Sequence, residues 1–223
     1  MLEREAIWLS NAIYSLEKKN LFPMLNIGSS NKRFRETEQP WIDRLLFKPA
    51  VDKGYTLIHT DIKADEGVDL VGDLDDLTFL ETLKSRQIKS VLCSNLLEHV
   101  PNRELICQNI TAIIPIGGYL IVTVPYKFPL HLDPIDTLFR PDLKQLKAAF
   151  PDLEFIKGEI VTDGKLYQCT TTPPLLYLMV MVIRLLLPIY QPLRWFDSLR
   201  YSLWLFRDVS ATCAVFQKTK INF

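Results

Sequence analysis

The sequence predicts an α/β fold with a doubly wound parallel sheet. Strand and helix patterns alternate through the first 150 residues, which is typical of such sheets. The apolar stretch Pro23–Ser30 contains a turn at Gly28, and the next predicted strand, Tyr55–Thr60, ends at Asp61. Glycine lets backbone N–H groups approach a ligand, and an acid at a strand tip can accept hydrogen bonds from a ribose diol. We therefore expect a nucleotide-like cofactor at the carboxyl edge of the sheet.

The composition is that of one globular domain without a nucleic-acid partner. The 223 residues are 48% hydrophobic and carry 26 basic and 26 acidic side chains, so the net charge is zero. Residues 1–170 hold 20 Lys and Arg against 24 Asp and Glu (−4), and residues 171–223 hold 6 against 2 (+4). A chain of this length can bury a full core. No long basic face is present, which argues against nucleic-acid binding.

The cysteines and the first residues bear on the cellular compartment. The four cysteines are far apart and form no C-x-x-C pair, so we expect reduced, buried thiols rather than a zinc or redox site. The opening Met-Leu-Glu-Arg-Glu lacks the basic start and apolar core of a signal peptide. The sequence predicts a cytoplasmic location.

Periodicity predicts the individual elements. An amphipathic helix over residues 2–19 places Ala6, Leu9 and Ile13 on one stripe, and residues 31–39 form a polar loop. Further helices are predicted at Trp41–Val51, at Leu74–Gln87, after the cap residue Asn102, and at Asp142–Phe150. Seven strands are predicted, at Pro23–Ile27, Tyr55–Thr60, Val68–Val71, Ser90–Cys93, Tyr119–Val124, Leu153–Val161 and Ala211–Gln217.

Residues 162–208 interrupt this pattern within the single domain, residues 1–223. Their apolar run of about 13 residues surrounds Arg184, which is short of the roughly 20 that a spanning helix needs. Aromatic residues and arginines alternate after it, which is typical of a segment at a membrane interface. The alternatives are that the run packs on the sheet or on another subunit.

Five segments occur in a characteristic order: Leu25–Gly28, Asp61, Gly72–Leu74, Ser94–Val100 and Ile114–Val122. Together they resemble the class I S-adenosylmethionine-dependent methyltransferases, of the methyltransferase type 11-like kind, over residues 22–150. The resemblance implies a Rossmann-like seven-stranded sheet with helices on both faces. It also implies a methyltransferase that uses S-adenosyl-L-methionine as its cofactor.

The resemblance also implies which residues bind that cofactor. Those expected around the methionyl part, the ribose, the adenine and the sulfonium are Asn26, Ile27, Gly28, Ser29, Ser30, Asp61, Ile62, Asp73, Leu74, Ser94 and Asn95. The first motif departs from the family, because only Gly28 of its usual glycines is kept; Lys32 or Arg33 would then pair with the methionyl carboxylate. The alternatives are turn-capping roles for Asp61 and Asp73, and a degenerate relative that has lost the cofactor.

The candidate catalytic residues are His131, His99 and Glu98. His131 opens a loop after the fifth strand that also holds Asp133, Asp136 and Arg140, and a histidine there can act as general base toward a hydroxyl acceptor. The alternative is that the two aspartates cap turns and that Arg140 pairs with one of them. Glu98-His99 is similar to the Glu-x-x-Glu-His segment of metal-dependent O-methyltransferases, but Asn95 replaces the first Glu, and we predict no metal.

The prediction of the methyl acceptor is based on the position of the insertion, residues 162–208. In the family's sheet the sixth strand is parallel and the seventh returns antiparallel, so residues 162–208 would leave and re-enter at the cofactor edge. We expect them to form a lid that also makes peripheral membrane contact through residues 174–206, at the inner face of the membrane. The predicted reaction is O-methylation of a small-molecule or lipid- or glycan-linked acceptor. A catalytically degenerate binding protein is the alternative; a nicotinamide dehydrogenase is disfavoured because the later glycines are missing.

Overall fold

A seven-stranded sheet forms the centre of the molecule. The computed structural model describes residues 1–131, 135–169, 174–186 and 204–219. The strand order is β3-β2-β1-β4-β5-β7-β6. The strands are β1 (Met24–Ile27), β2 (Leu57–Asp61), β3 (Leu70–Val71), β4 (Ser90–Ser94), β5 (Tyr119–Lys127), β6 (Glu154–Lys165) and β7 (Asp208–Gln217). Strands β1 to β5 are parallel, whereas β7 runs antiparallel to both β5 and β6, which confirms the predicted fold class.

Helices cover both faces of the sheet. They are α1 (Glu3–Ser15), α2 (Lys48–Val51), α3 (Leu77–Ser85), α4 (Arg103–Ile113), α5 (Leu143–Ala149) and α6 (Pro174–Leu186). Alternate side chains of β1 enter different cores: Leu25 packs with α3, α4 and α5, whereas Met24 packs with α1 and with residues 42–50. Because both faces are covered, the central strands β1, β4 and β5 are buried along nearly their whole length, as expected for a parallel sheet.

Several predicted boundaries differ from the structure: α1 ends at Ser15 instead of residue 19, β6 continues to Lys165 instead of Val161, and β7 begins at Asp208 instead of Ala211. Two further differences have a cause in side-chain bonds. The expected loop at residues 31–39 contains a wide helical turn, Phe34–Glu38, because Arg35 of this segment is buried and its guanidinium bonds three backbone carbonyls. The helix expected at Leu74–Gln87 begins only at Leu77, since the carboxylate of Asp76 accepts the Thr78 N–H and caps it. Both differences arise from side-chain bonds that periodicity does not reveal.

The parallel strands all end at the same edge of the sheet. The residues that follow β1, β2, β3, β4 and β5 therefore lie side by side, as in other open α/β sheets that bind ligands at this edge. The insertion begins and ends here too, because β6 leaves the sheet at Lys165 and β7 enters it at Asp208. Within the described residues, no helix is both long enough and apolar enough to cross a membrane.

Candidate functional site

A cavity of about 1080 Å³ lies along the carboxyl edge of the sheet. It brings together every site residue predicted from the sequence, both the eleven expected around the cofactor and the three expected to be catalytic. Pockets for cofactors and drug-sized ligands have volumes of roughly 300–1,000 Å³. The space is therefore sufficient for a nucleotide-sized cofactor together with an acceptor.

The turn after β1 is joined directly to the end of β2. Gly28 has a positive φ of 64°, and a Cβ there would lie 3.0 Å from Leu96 Cδ1. Ser30, two residues further on, also has a positive φ, and its N–H donates to Asp61 Oδ2 at 2.8 Å. Lys63 N–H donates to Asp61 Oδ1 at 3.1 Å. The carboxylate of Asp61 is thus held at the cavity wall with lone pairs left for a ligand's hydroxyl groups.

Arg35 holds this turn in place, and sequence analysis missed it. It is buried, and its guanidinium donates to the carbonyl oxygens of Ser29 (3.0 Å), Ser30 (2.6 Å) and Gly67 (2.7 Å). The basic residues expected to meet the cofactor, Lys32 and Arg33, instead form exposed ion pairs with Glu66 and Glu38. The guanidinium therefore orders a loop in which Gly28 is followed by no second glycine up to Arg35.

Asn26 links the first two strands below the cavity. Its Nδ2 lies 3.1 Å from Nδ1 of His59, its partner in the register of β1 and β2. Burial and the nearby Arg35 lower the pKa of His59 to about 4, so the ring is neutral near pH 7 and Nδ1 accepts the amide hydrogen. One of the two amide hydrogens of Asn26 is thus taken by His59, and the other stays available.

The end of the cavity beside β3, next to Asp61, combines apolar and polar groups. Ile62 is 63% exposed beside Asp61, and Leu74 is buried with its carbonyl accepting from Asn109 Nδ2 at 2.8 Å. Asp73 Oδ1 accepts the Asp75 N–H at 3.0 Å, which is the turn-capping role that the sequence left open. The turn uses only Oδ1 of Asp73, so Oδ2 can bond a ligand while the turn is kept.

Glu98 stands out among the carboxylates of the cavity. Its side chain is fully buried, and neither carboxylate oxygen has a hydrogen-bond partner in the part of the chain that the structure describes. This burial raises the pKa of Glu98 to about 8. At neutral pH the side chain is therefore mostly protonated and uncharged.

Two histidines lie beside Glu98. Nδ1 of His99 bonds the carbonyl of Ile135, which leaves its Nε2 3.6 Å from Glu98 Oε1. The rings of His99 and His131 meet edge to face, with centroids 5.0 Å apart. Ligand atoms of Glu98, His99 and His131 all lie within 4.8 Å of one another. The structure thus assembles the three residues predicted to be catalytic, and also a set that can coordinate a cation.

Asp136 fixes the loop that carries His131. Burial acts to raise the pKa of Asp136, but hydrogen bonds from Arg140 and from the backbone N–H groups of His131 and Leu138 outweigh it and lower the pKa to about 2. Its carboxylate pairs with Arg140 at 2.7 Å. The turn-capping alternative therefore holds for Asp136, whereas Asp133 lies outside the described residues.

Glu5 is a second site residue that sequence analysis missed. It lies in the first turn of α1, lines the cavity and is 1% exposed. Its Oε1 accepts from Thr123 Oγ1 at 2.6 Å and from Asn95 Nδ2 at 2.8 Å. The available signal was its position four residues before Leu9, which places an acid on the buried stripe of the helix.

The first part of the insertion and the strand that follows it also line the cavity. The insertion contributes Leu166 and Cys169, and β7 contributes Ser210 and Ala211. Further along, the exposed apolar side chains described in α6 all fall within one arc of about 160°. These side chains are Leu175, Leu176, Met179, Val180, Val182 and Ile183. The arginines and aromatics at residues 194–201, on which the membrane prediction also depended, lie outside the described residues.

Comparison with known proteins identifies the fold. No protein-family model and no curated protein matches the sequence. A SAM-dependent methyltransferase from Anabaena variabilis superposes with a TM-score of 0.58 at 12% identity, over 98% of this chain and 86% of that one. One from Archaeoglobus fulgidus gives 0.51 at 15%, over 96% and 94%. The chain has the class I methyltransferase fold. The cyclase SpnF shares it as well, with a TM-score of 0.51 at 13% identity over 95% and 80% of the two chains, so the fold alone does not define the reaction.

The buried Glu98 predicts a pH-dependent stability. The native state keeps the Glu98 proton up to a pH near 8, whereas the unfolded chain loses it near 4.5, so the free energy of unfolding falls between these values as pH rises. Glu98→Gln removes this loss, and the variant should gain on the order of 3 kcal/mol relative to wild type between pH 5 and pH 8. Urea denaturation at the two pH values measures the difference. Glu104 is an exposed acid of α4, and Glu104→Gln should show the same change in the free energy of unfolding between pH 5 and pH 8 as wild type. If Glu98→Gln shows that same change, Glu98 is ionised at pH 7 and the prediction is wrong.

Proposed function

We propose that the protein is an S-adenosylmethionine-dependent methyltransferase. One observation carries the proposal: the Gly28 turn and the Asp61 carboxylate meet at one end of a cavity whose other end holds Glu98, His99 and His131. The first pair suits an adenosyl group, and the second set suits a group that must lose a proton when it is methylated. A catalytically degenerate binding protein is the alternative.

The residues of the cavity fit the parts of the cofactor. Asp61 would accept hydrogen bonds from the ribose hydroxyl groups, and the exposed Ile62 and buried Leu74 would contact the faces of the adenine. Gly28 and Ser29 would lie beside the methionyl part, where the positive φ of Gly28 keeps the backbone open. S-adenosylmethionine, when bound, supplies an electrophilic methyl group. The residues of this chain would hold that methyl group and the acceptor in line.

His131 is the proposed general base. Burial lowers its pKa below the ordinary 6.5, so the imidazole is neutral and can accept a proton near pH 7. Its Nδ1 lies 3.3 Å from the Pro129 carbonyl and 3.3 Å from Asp136, which leaves Nε2 to meet the acceptor. His99 and the neutral Glu98 complete the wall. Because a hydroxyl must lose its proton during attack, this arrangement supports O-methylation.

The acceptor is proposed to be a small-molecule or lipid- or glycan-linked compound. The support is the position of α6, which follows the cavity-lining residues 166–169 and exposes an apolar arc. Residues 171–223 also carry an excess of four positive charges. An exposed apolar face with a basic surrounding is typical of a segment that binds anionic lipid surfaces. Peripheral contact of residues 174–206 with a membrane would deliver such an acceptor next to the cavity.

Cofactor binding tests the proposal most simply. Isothermal titration with S-adenosylhomocysteine should show one site in wild type, and Asp61→Asn should weaken it about 10- to 100-fold, because charge-assisted bonds to the ribose are lost. Asp152→Asn, an exposed acid outside the cavity, serves as the matched control. Absence of binding by wild type at high micromolar ligand would support the degenerate alternative instead.

Membrane contact has a separate test. Wild type should float with vesicles of phosphatidylcholine and phosphatidylserine, and replacing Leu175, Met179, Val182 and Ile183 with Ser should abolish most of that recovery, since apolar burial drives interfacial binding. Leu77→Ser, which changes a similarly exposed leucine of α3, should float like wild type. Equal recovery of all three proteins would remove the membrane proposal and leave the enzymatic one intact.

A second candidate is metal-assisted methyl transfer, which the short distances among Glu98, His99 and His131 favour. A divalent cation held there would act as a Lewis acid on the acceptor oxygen. The metal-free proposal predicts that titration with MnCl₂ gives no saturable heat. A single site that is lost in Glu98→Gln and kept in Glu104→Gln would establish the second candidate and replace His131 as the base.

A further inference from the structure

Glu5 is a buried acid that the proposed mechanism does not use. All of its described hydrogen-bond partners are neutral donors: Thr123 Oγ1 and Asn95 Nδ2, with Ser94 Oγ more distant at 3.4 Å, bond Oε1, and the Leu2 N–H bonds Oε2 at 2.9 Å. Four groups that donate suit the carboxylate form of the side chain. The network is also rigid, since it joins α1 to the ends of β4 and β5.

The negative charge of Glu5 has no counter-ion within the described residues. None of the Lys, Arg or His residues in the described ranges lies within ion-pair distance of its carboxylate, although the side chain is 1% exposed. An isolated buried charge is costly unless it is compensated. Because Glu5 borders the cavity, a cationic ligand is the compensation that the structure leaves available.

The sulfonium of the cofactor would lie near this charge. The ribose would sit at Asp61, at the tip of β2, and the acceptor-side cluster follows β4 and β5. The sulfur is bonded to the ribose 5′ carbon and must face the acceptor, so it would lie near the tips of the neighbouring strands β1 and β4, which are about 5 Å apart. Asn95 at the tip of β4 touches Glu5 directly.

We propose that Glu5 selects the charged methyl donor over its neutral product, which rests on the function proposed above. When the methyl group moves, the carbon–sulfur bond breaks and its electron pair stays on sulfur, the new carbon–oxygen bond forms, and the acceptor proton passes to His131. The sulfonium becomes a neutral thioether. The attraction to Glu5 is then lost, so the product binds more weakly than the substrate and leaves.

The test compares two cofactor forms on three proteins. Isothermal titration with S-adenosylmethionine and with S-adenosylhomocysteine would be done on wild type, Glu5→Gln and Glu3→Gln. Glu3 lies in the same first turn of α1 but is exposed and pairs with Arg44, so it is the matched control for charge. Glu5→Gln should weaken S-adenosylmethionine about tenfold and leave S-adenosylhomocysteine nearly unchanged, whereas Glu3→Gln should change neither.

Two outcomes would overturn the inference. Equal weakening of both ligands by Glu5→Gln would show that the carboxylate only supports the structure. Wild type that binds the homocysteine form as tightly as the methionine form would show that no charge selection exists, and this comparison remains decisive if Glu5→Gln does not fold. Both outcomes leave the methyltransferase proposal standing, whereas failure of wild type to bind either ligand would remove it.

Discussion

The hydrogen bond from the Ser30 N–H to the Asp61 carboxylate is the contact on which the site depends. It ties the turn after β1 to the tip of β2 at 2.8 Å and so sets the shape of the cavity's cofactor end. A turn with one glycine instead of several has little freedom of its own, and the buried guanidinium of Arg35 holds it from below through three carbonyls. The bonds from Asp61 and from Arg35 thus hold the backbone of this turn in a conformation that further glycines would make easier to adopt.

Three buried acids in or beside the cavity show how hydrogen-bond donors and counter-ions set the charge of a carboxyl group. Asp136 has an arginine and two backbone donors, and it stays ionised as a support for the His131 loop. Glu5 has four neutral donors and, within the described residues, no counter-ion. Glu98 has no hydrogen-bond partner in the described part of the chain, and its burial raises its pKa to about 8. The same functional group therefore serves as a structural anchor, an unpaired charge and an uncharged wall within one cavity.

The sequence predicted the sheet, the turn at Gly28 and the acid at Asp61 from local patterns, whereas the other cofactor-site residues came from the resemblance to a methyltransferase family. Apolar runs, the turn at Gly28 and acids at strand ends follow rules of periodicity and backbone freedom that need no tertiary information. Arg35 could not be found in this way, since its guanidinium also bonds Gly67, 32 positions away. Glu5 lies on the apolar stripe of α1, but its partners Asn95 and Thr123 are 90 and 118 positions away, so its role was not visible in the local pattern. The turn-capping role of Asp136 was foreseen only as one of two options, because the choice depends on where Arg140 points.

The central claim is that adenosine lies over β1 and β2 with the sulfur facing Asn95. A crystal structure with S-adenosylhomocysteine tests it most directly. The account predicts ribose hydroxyl groups within hydrogen-bond distance of Asp61, adenine beside Ile62 and Leu74, and sulfur over the tip of β4, on the side of His99 and His131. Ligand bound elsewhere, or an empty cavity at saturating ligand, would contradict it.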